Sequence, residues 1–465
     1  MAGAPREGYH RRVIERIDVA VIGAGSAGLS ALREVRKATD SFIVAEGGPL
    51  GTTCARVGCM PSKALIQAAN DAHGGKKARG GIPATLASVR ALRDRFAAGA
   101  SDPAKRLGAR LVRGRARFLG PGALRVGNRE FLAKRVILAT GSRPVVPKEF
   151  LALGDRVVTT DALFELEDLP RRIGVVGLGP VGLEIGQALS RLGRDVDAFD
   201  RGRSLGKLTD PAVNARAVKI LSEEFPLRLG RDVSVRLRGG KVAVRSGGRE
   251  RFLDLILASL GRRPNLEALG LEALGVELDE DGLPEFDPGT MRLRGFPIFL
   301  AGDASVQRPV LHEAADDGRI AGYNSVHRRA RCFARRAPLS ITFTDPNIAQ
   351  VGAAWSDLER GAFVTGEADF ASQGRALIMG EDRGLLRVYA RESDGLFLGA
   401  EMIGPAGEHL GHLMAWALQQ EMTVFEILRM PFYHPVVEEG LRDALRDAAR
   451  KARSGARKLE VAFCD

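Results

Sequence analysis

The apolar residues near the start of the chain come as a block rather than in alternation. Ile17-Asp18-Val19-Ala20-Val21-Ile22 is nearly all apolar, as a strand buried on both faces of a parallel sheet must be. The run Gly23-Ala24-Gly25-Ser26-Ala27-Gly28 follows at once, then a helix carrying Leu29, Leu32, Val35 and Arg36, then a strand Ser41-Phe42-Ile43-Val44-Ala45 that ends on Glu46. The same phrase returns mid-chain. Strand Ile173-Gly174-Val175-Val176 leads into Gly177-Leu178-Gly179-Pro180-Val181-Gly182, a helix runs through Leu183, Ile185 and Leu189, and strand Val196-Asp197-Ala198-Phe199 ends on Asp200. A whole nucleotide-binding unit is repeated.

Two further apolar strands end in small-residue turns, Val136-Ile137-Leu138-Ala139-Thr140-Gly141 and Leu255-Ile256-Leu257-Ala258-Ser259-Leu260-Gly261, and a third, Ile298-Phe299-Leu300-Ala301-Gly302, ends on Asp303. From about Pro338 the pattern changes. Leu385-Leu386-Arg387-Val388-Tyr389 alternates like an antiparallel strand, and long helices are expected near 407–420 and 438–452. Residues 73–110 read as helical and polar.

Composition narrows the class. At 465 residues the chain exceeds one ordinary core, and about three domains are expected. It is 45% hydrophobic and 27% charged, with no apolar run near the ~20 residues a membrane span needs. The stretch before Ile17 carries Arg6, Glu7, Arg11, Arg12, Glu15 and Arg16 and no apolar centre, so it is not a secretory signal and a cytoplasmic location is the default expectation. The formal charge of +12 is spread through every region, and aromatic residues are only 6%. Without a basic stripe interleaved with aromatics, nucleic-acid binding is not expected as the main function.

Each glycine fingerprint has a physical logic. The first glycine makes a tight turn, the second lets the backbone approach a pyrophosphate, and the third permits close helix–sheet packing. The helix N-terminus offers N–H groups to the phosphates, and Glu46 or Asp200 can accept from ribose hydroxyls. Two dinucleotides are expected, held at Gly23, Gly25, Gly28 and Glu46, and at Gly177, Gly179, Gly182 and Asp200. Asp200 would repel a 2′-phosphate, which favours NAD over NADP, although Arg201 and Arg203 could partly offset that charge.

Four cysteines make no disulfide framework for a chain of this size. Two of them, Cys54 and Cys59, stand close in sequence and point to redox or metal chemistry. Residues five apart on a regular helix have Cα atoms about 8–9 Å apart, while a disulfide tolerates about 7 Å at most. If the two are bonded, the chain between them must leave the helix, and Gly58 and Pro61 would let it. Zinc would need two more ligands, and none lies at suitable spacing. A pair of inert thiols is the remaining reading.

The stretch from Gly51 to Lys63, Gly-Thr-Thr-Cys-Ala-Arg-Val-Gly-Cys-Met-Pro-Ser-Lys, resembles the GGTCxNxGCxPSK signature of the class I pyridine nucleotide-disulfide oxidoreductases, closest to the dihydrolipoyl dehydrogenase branch. The resemblance runs on in order through Ala139-Thr140-Gly141-Ser142, the second fingerprint with Glu184, Gly261-Arg262-Arg263-Pro264-Asn265, Ala301-Gly302-Asp303, His312-Glu313-Ala314, Thr344-Asp345-Pro346-Asn347-Ile348-Ala349 and His434-Pro435. It implies an α/β fold with two Rossmann-like dinucleotide-binding domains, for FAD and NAD(P), and a C-terminal α+β dimerisation domain. The expected boundaries are 1–150 and 266–337 for the FAD domain, 151–265 for the NAD(P) domain and 338–465 for the interface.

By that resemblance Cys59 lies against the flavin and Cys54 meets substrate. Lys63 and Glu184 form an ion pair near the flavin, Asp303 reaches its ribitol region, and Thr53, Thr140, Gly141 and Gly261 join the cofactor-binding set. His434 would be the base that thiol–disulfide exchange needs, with Glu439 holding its imidazole in the His-Pro-x-x-x-Glu pattern. In the family this histidine comes from the other subunit, which implies a homodimer. The implied activity is oxidation of protein-bound dihydrolipoamide by NAD, with a lipoylated carrier as partner. Reduction of another disulfide, a thiol or a metal ion is the alternative within the family, and a non-catalytic flavoprotein subunit the alternative outside it. The chain departs from the signature at Thr52 (second glycine), Arg56 (asparagine) and Val436-Val437-Glu438 (a threonine-rich spacer), all on the substrate side. Cys332 reads as structural, and Cys464 stands alone near the C-terminus with no neighbour to pair with.

Overall fold

The computed structural model describes residues 14–76, 80–453 and 460–461; Cys464, Arg6, Glu7, Arg11 and Arg12 lie outside them. The chain forms two compact units.

The first unit takes in Met1–Pro61, Ala91–Pro144 and Arg262–Arg335. Its centre is a parallel sheet in the order Ile298–Leu300, Arg129–Leu138, Ile14–Ile22, Phe42–Glu46, Leu111–Arg113. The apolar block does what its pattern demands: Val19, Ala20, Val21 and Ile22 are all buried, and Val44, Ile137 and Leu138 beside them are shut off from solvent. Register fixes the site. Ile22 pairs with both Ala45 and Leu138, so the turns that follow these strands, and the one after Leu300, open at one edge of the sheet, where ligands bind open α/β sheets. The helices Ser26–Val35 and Leu311–Val326 pack against each other.

The second unit takes in Ser62–Arg90, Val145–Gly261 and Arg336–Asp465. It repeats the parallel design, in the order Leu227–Leu229, Asp195–Asp200, Arg172–Val176, Leu255–Ala258, Val157–Val158. Beside it stands a three-stranded antiparallel sheet, Val233–Arg238, Lys241–Ser246 and Arg249–Leu253. The change of pattern after Pro338 corresponds to a five-stranded antiparallel sheet, Leu339–Thr342, Asn347–Gly352, Phe397–Gly404, Leu385–Arg391 and Phe363–Asp369. The helices Gly407–Gln419 and Glu439–Lys451 pack on it through Leu410, Met414, Leu441 and Leu445, all buried with Leu386, Val388 and Met402 of the sheet. Among the described residues no helix is long and apolar enough to cross a membrane.

Candidate active site

The first fingerprint is shaped by what its glycines avoid. Gly23 has φ +111°, and a Cβ there would stand 2.2 Å from the Ala139 carbonyl oxygen. A Cβ on Gly28 would stand 1.9 Å from the Gly23 oxygen, whereas one on Gly25 would meet no protein atom within 4 Å. The open position sits at the N-cap of the helix Ser26–Val35, where N–H groups point outward. Glu46 anchors the turn: Oε2 accepts the Ala24 N–H at 2.8 Å and Oε1 the Gly48 N–H at 2.6 Å.

The second fingerprint reproduces this almost atom for atom. Gly177 has φ +95°, with a Cβ placed 2.2 Å from the Ser259 oxygen; Gly182 would collide with the Gly177 oxygen at 1.9 Å; Gly179 is open. Asp200 accepts the Leu178 and Gly202 N–H groups, each at 2.6 Å. Gly261, at φ +96°, also faces open space.

The turns after Leu138 and Leu300 complete the first unit's site. Gly141 adopts φ +67° in open space. Asp303 Oδ2 accepts the Ser142 hydroxyl at 3.0 Å, and Ser142 Oγ in turn accepts from Arg262 Nε at 2.8 Å. Asn265 donates to the Thr140 carbonyl at 3.1 Å, while Thr140 Oγ1 is buried with no hydrogen-bond partner. Open cradles at two helix N-termini and one orphaned buried hydroxyl fit two dinucleotides. Ser142 and Arg262 carry no role in the sequence reading. Their signal was position, since each directly follows a small-residue turn and Ser142–Pro144 pairs with Arg262–Pro264.

Between the cysteines the chain does leave the helix. Cys54 lies in the four-residue helix Thr53–Arg56, Val57 turns to φ −136°, and Cys59 opens the helix Cys59–His73. A Cβ on Gly58 would press on Cys54 Cα at 3.2 Å, so glycine lets the two segments close up. Pro61 falls in the first helical turn, where no backbone donor is lost. Cys54 is half-buried and Cys59 exposed. Thr52, which replaces a glycine of the signature, sits at φ +58°, ψ 152°, and its hydroxyl caps the following turn by accepting the Ala55 N–H.

In the second unit Lys63 Nζ lies 2.7 Å from Glu184 Oε2 and 4.5 Å over the Phe343 ring. Glu184 Oε1 accepts the Phe343 N–H at 2.9 Å. His434 Nδ1 stands 3.0 Å from Glu439 Oε2 with its side chain 80% exposed. Arg442 reaches the other Glu439 oxygen at 2.7 Å. The hydrogen bond from His434 holds the Glu439 carboxyl below the usual carboxylate range. Beside His434 opens an apolar groove of about 480 Å³, lined by Trp416, Met430, Phe432, Tyr433 and Leu441.

Comparison with known proteins bears on the family and the fold. Residues 17–318 match the family "Pyridine nucleotide-disulphide oxidoreductase", and residues 339–445 its dimerisation domain. The chain is 32% identical to a dihydrolipoyl dehydrogenase of Thermus scotoductus, over 92% of this chain and 96% of the relative. It is 31% identical to one of Haloferax volcanii, over 92% and 95%. Among solved structures it is similar in fold to the HOCl-induced flavoprotein disulfide reductase RclA of Escherichia coli, in its Cu(II) complex (TM-score 0.84, 21% identity, 93% of this chain and 99% of that one). LpdA of Mycobacterium tuberculosis is also similar in fold (TM-score 0.81, 24% identity, 93% and 99%).

Proposed function

Since the chain belongs to the pyridine nucleotide-disulphide oxidoreductase family, a family of flavoenzymes that use FAD and NAD(H), we propose that it is a dihydrolipoyl dehydrogenase whose thiol pair is Cys54 and Cys59. The observation that carries this is the alignment with dihydrolipoyl dehydrogenases over 92% of the chain, with Cys54, Cys59, Lys63, Glu184, His434 and Glu439 all present.

FAD, when bound, supplies the two-electron relay between the cysteine pair and the nicotinamide. The residues of the chain do the rest. With Nδ1 committed to Glu439, His434 of a second copy of the chain takes a proton from the substrate dithiol at Nε2. The thiolate attacks Cys54 Sγ in the Cys54–Cys59 disulfide, forming a mixed disulfide and releasing Cys59 as thiolate. The second substrate thiol then displaces Cys54, so the substrate leaves as a disulfide and both cysteines are reduced. Lys63, one helical turn beyond Cys59 and held in place by its ion pair with Glu184, would supply a cation where negative charge develops on reduction. Gly25 with Glu46, Thr53, Thr140, Gly141 and Asp303 would hold FAD, and Gly179 with Asp200 and Gly261 would hold NAD. Asp200 carries a negative charge that would repel a 2′-phosphate, which disfavours NADP.

The exposed His434 beside an apolar groove supports a homodimer in which a second copy covers this face. A lipoylated carrier would be the natural source of the dithiol, and the positive charge of the chain suits an acidic one. Thr52, Arg56 and Val436-Val437-Glu438 favour the second reading, a reductase of another disulfide, a thiol or a metal ion. Steady-state assays of the purified protein with NAD and dihydrolipoamide, set against NADPH and glutathione disulfide, decide between them. Turnover with the first pair, lost in Cys59→Ser together with the long-wavelength absorbance on two-electron reduction, is expected. Turnover with the second pair alone would sink the proposal.

A further inference from the structure

The structure assigns a role to Asp317 that the mechanism does not use: we infer that it is a positioning residue for the flavin site, fixing the turn that carries Asp303. The inference rests on the reading that Asp303 contacts FAD.

Asp317 lies on the helix Leu311–Val326 and is 4% exposed. Its Oδ2 accepts the Gly302 N–H at 3.1 Å, and the Ser305 hydroxyl, 3.4 Å from the same oxygen, closes the turn Gly302–Ala304 by donating to the Gly302 carbonyl at 2.9 Å. Its Oδ1 receives Arg335 Nη1 at 2.5 Å, and Arg335 Nη2 donates to Glu313 Oε2 at 2.6 Å. Glu313 is pinned in turn by Arg308, at 3.0 Å. On the other side the turn abuts the first dinucleotide unit, where a Cβ on Gly302 would stand 2.7 Å from the Ala27 Cβ. Between these two restraints sits Asp303, whose Oδ2 is joined to Ser142.

A neutral acceptor would satisfy the Gly302 N–H, so backbone pairing alone does not call for a buried charge. Burying an ion pair is weak as a source of stability and strong as a source of fixed geometry once every oxygen is engaged. Here both oxygens are engaged, and the groups they hold are the turn and a guanidinium already fixed by Glu313. What such an anchor determines is the orientation of Asp303, one residue beyond the peptide it grips.

The test is a double-mutant cycle on flavin affinity, read from quenching of FAD fluorescence as apoprotein is titrated with FAD. Asp303→Asn and Asp317→Asn should each raise the FAD Kd, Asp317→Asn on the order of tenfold, the size that outer-shell partners have at metal sites. The double variant should bind no worse than Asp303→Asn alone, because Asp317 acts through Asp303. Where circular dichroism finds Asp317→Asn unfolded, Arg335→Lys, which keeps the charge but loses the planar fork, is taken through the same cycle. An unchanged Kd in the anchor variant, or a full additive loss on the Asp303→Asn background, overturns the inference while leaving the flavin reading intact. An unchanged Kd in Asp303→Asn overturns that reading and the inference with it.

Discussion

Lys63 and Glu184, 121 residues apart in sequence, meet at 2.7 Å, and the second oxygen of Glu184 is taken by the Phe343 N–H. The carboxylate is 5% exposed and the ammonium 34%. Removing the cation alone therefore leaves a buried charge with one neutral donor. We expect Lys63→Met to destabilise the protein by about 2–3 kcal/mol, below the fully buried case because Lys63 keeps some water. Lys63→Met with Glu184→Gln should recover most of that, since the glutamine oxygen still accepts from Phe343. Urea unfolding of the single and double variants measures it; a double variant no more stable than Lys63→Met contradicts the assignment of the cost to the unpaired carboxylate.

The glycines of the two fingerprints separate folding from binding. Gly25 and Gly179 have φ of −79° and −66°, open to any residue, and a Cβ on either meets nothing within 4 Å. If the two turns hold FAD and NAD as proposed, Gly25→Ala should fold but lose flavin, and Gly179→Ala should keep flavin while the KM for NAD rises about tenfold or more, because the methyl would stand where a pyrophosphate approaches. Gly28→Ala and Gly182→Ala, with a Cβ 1.9 Å from a backbone oxygen, should fail to fold. Flavin content by absorbance, NAD kinetics and circular dichroism score the four variants. A Gly179→Ala enzyme with unaltered KM would remove the second nucleotide site from Gly179.

These contrasts show which parts of the site were legible in the sequence. The two dinucleotide units were, because Val19–Ile22 and Ile173–Val176 are buried on both faces and so must be apolar throughout, and because the fingerprint glycines answer to contacts inside one short segment. The break between Cys54 and Cys59 was legible for the same local reason. The hydrogen-bond chain from Arg262 through Ser142 to Asp303 was not: Ser142 lies more than a hundred residues from either partner, and no local pattern encodes that distance. The sheet Val233–Arg238, Lys241–Ser246 and Arg249–Leu253 was hidden too, since its outer strands are largely exposed and arginine-rich, leaving little apolar signal.

Thr52 offers a direct measure of strain at the turn that leads into Cys54. Its backbone, at φ +58° and ψ 152°, lies in a region that only glycine occupies without penalty, at a cost of about 1–3 kcal/mol for other residues. Against this its hydroxyl caps Ala55, and exchanging a threonine cap for glycine loses only a few tenths of a kcal/mol, roughly. Thr52→Gly should therefore stabilise the protein by about 1 kcal/mol, seen as a higher urea midpoint. A lower midpoint would mean that the cap outweighs the strain.

Arg216 and Asp369 make stability depend on acid in a predictable direction. Arg216 donates through Nη1 and Nη2 to the two Asp369 oxygens at 2.9 and 2.7 Å, and this holds the carboxyl below its ordinary value of 3.8. A carboxyl lowered in the folded state adds stability that is complete above its unfolded value and is lost as pH falls through its folded value. With the Asp369 side chain 40% exposed, that share is about 1 kcal/mol or less. Arg216→Met should thus lower the urea midpoint at pH 7, and the gap from the unaltered protein should narrow once pH drops below about 4. It should not close fully, because Arg216 also donates to the Gly384 carbonyl at 2.7 Å, a bond indifferent to pH. A gap that stays constant from pH 7 to 3 would assign the whole effect to that carbonyl and none to Asp369.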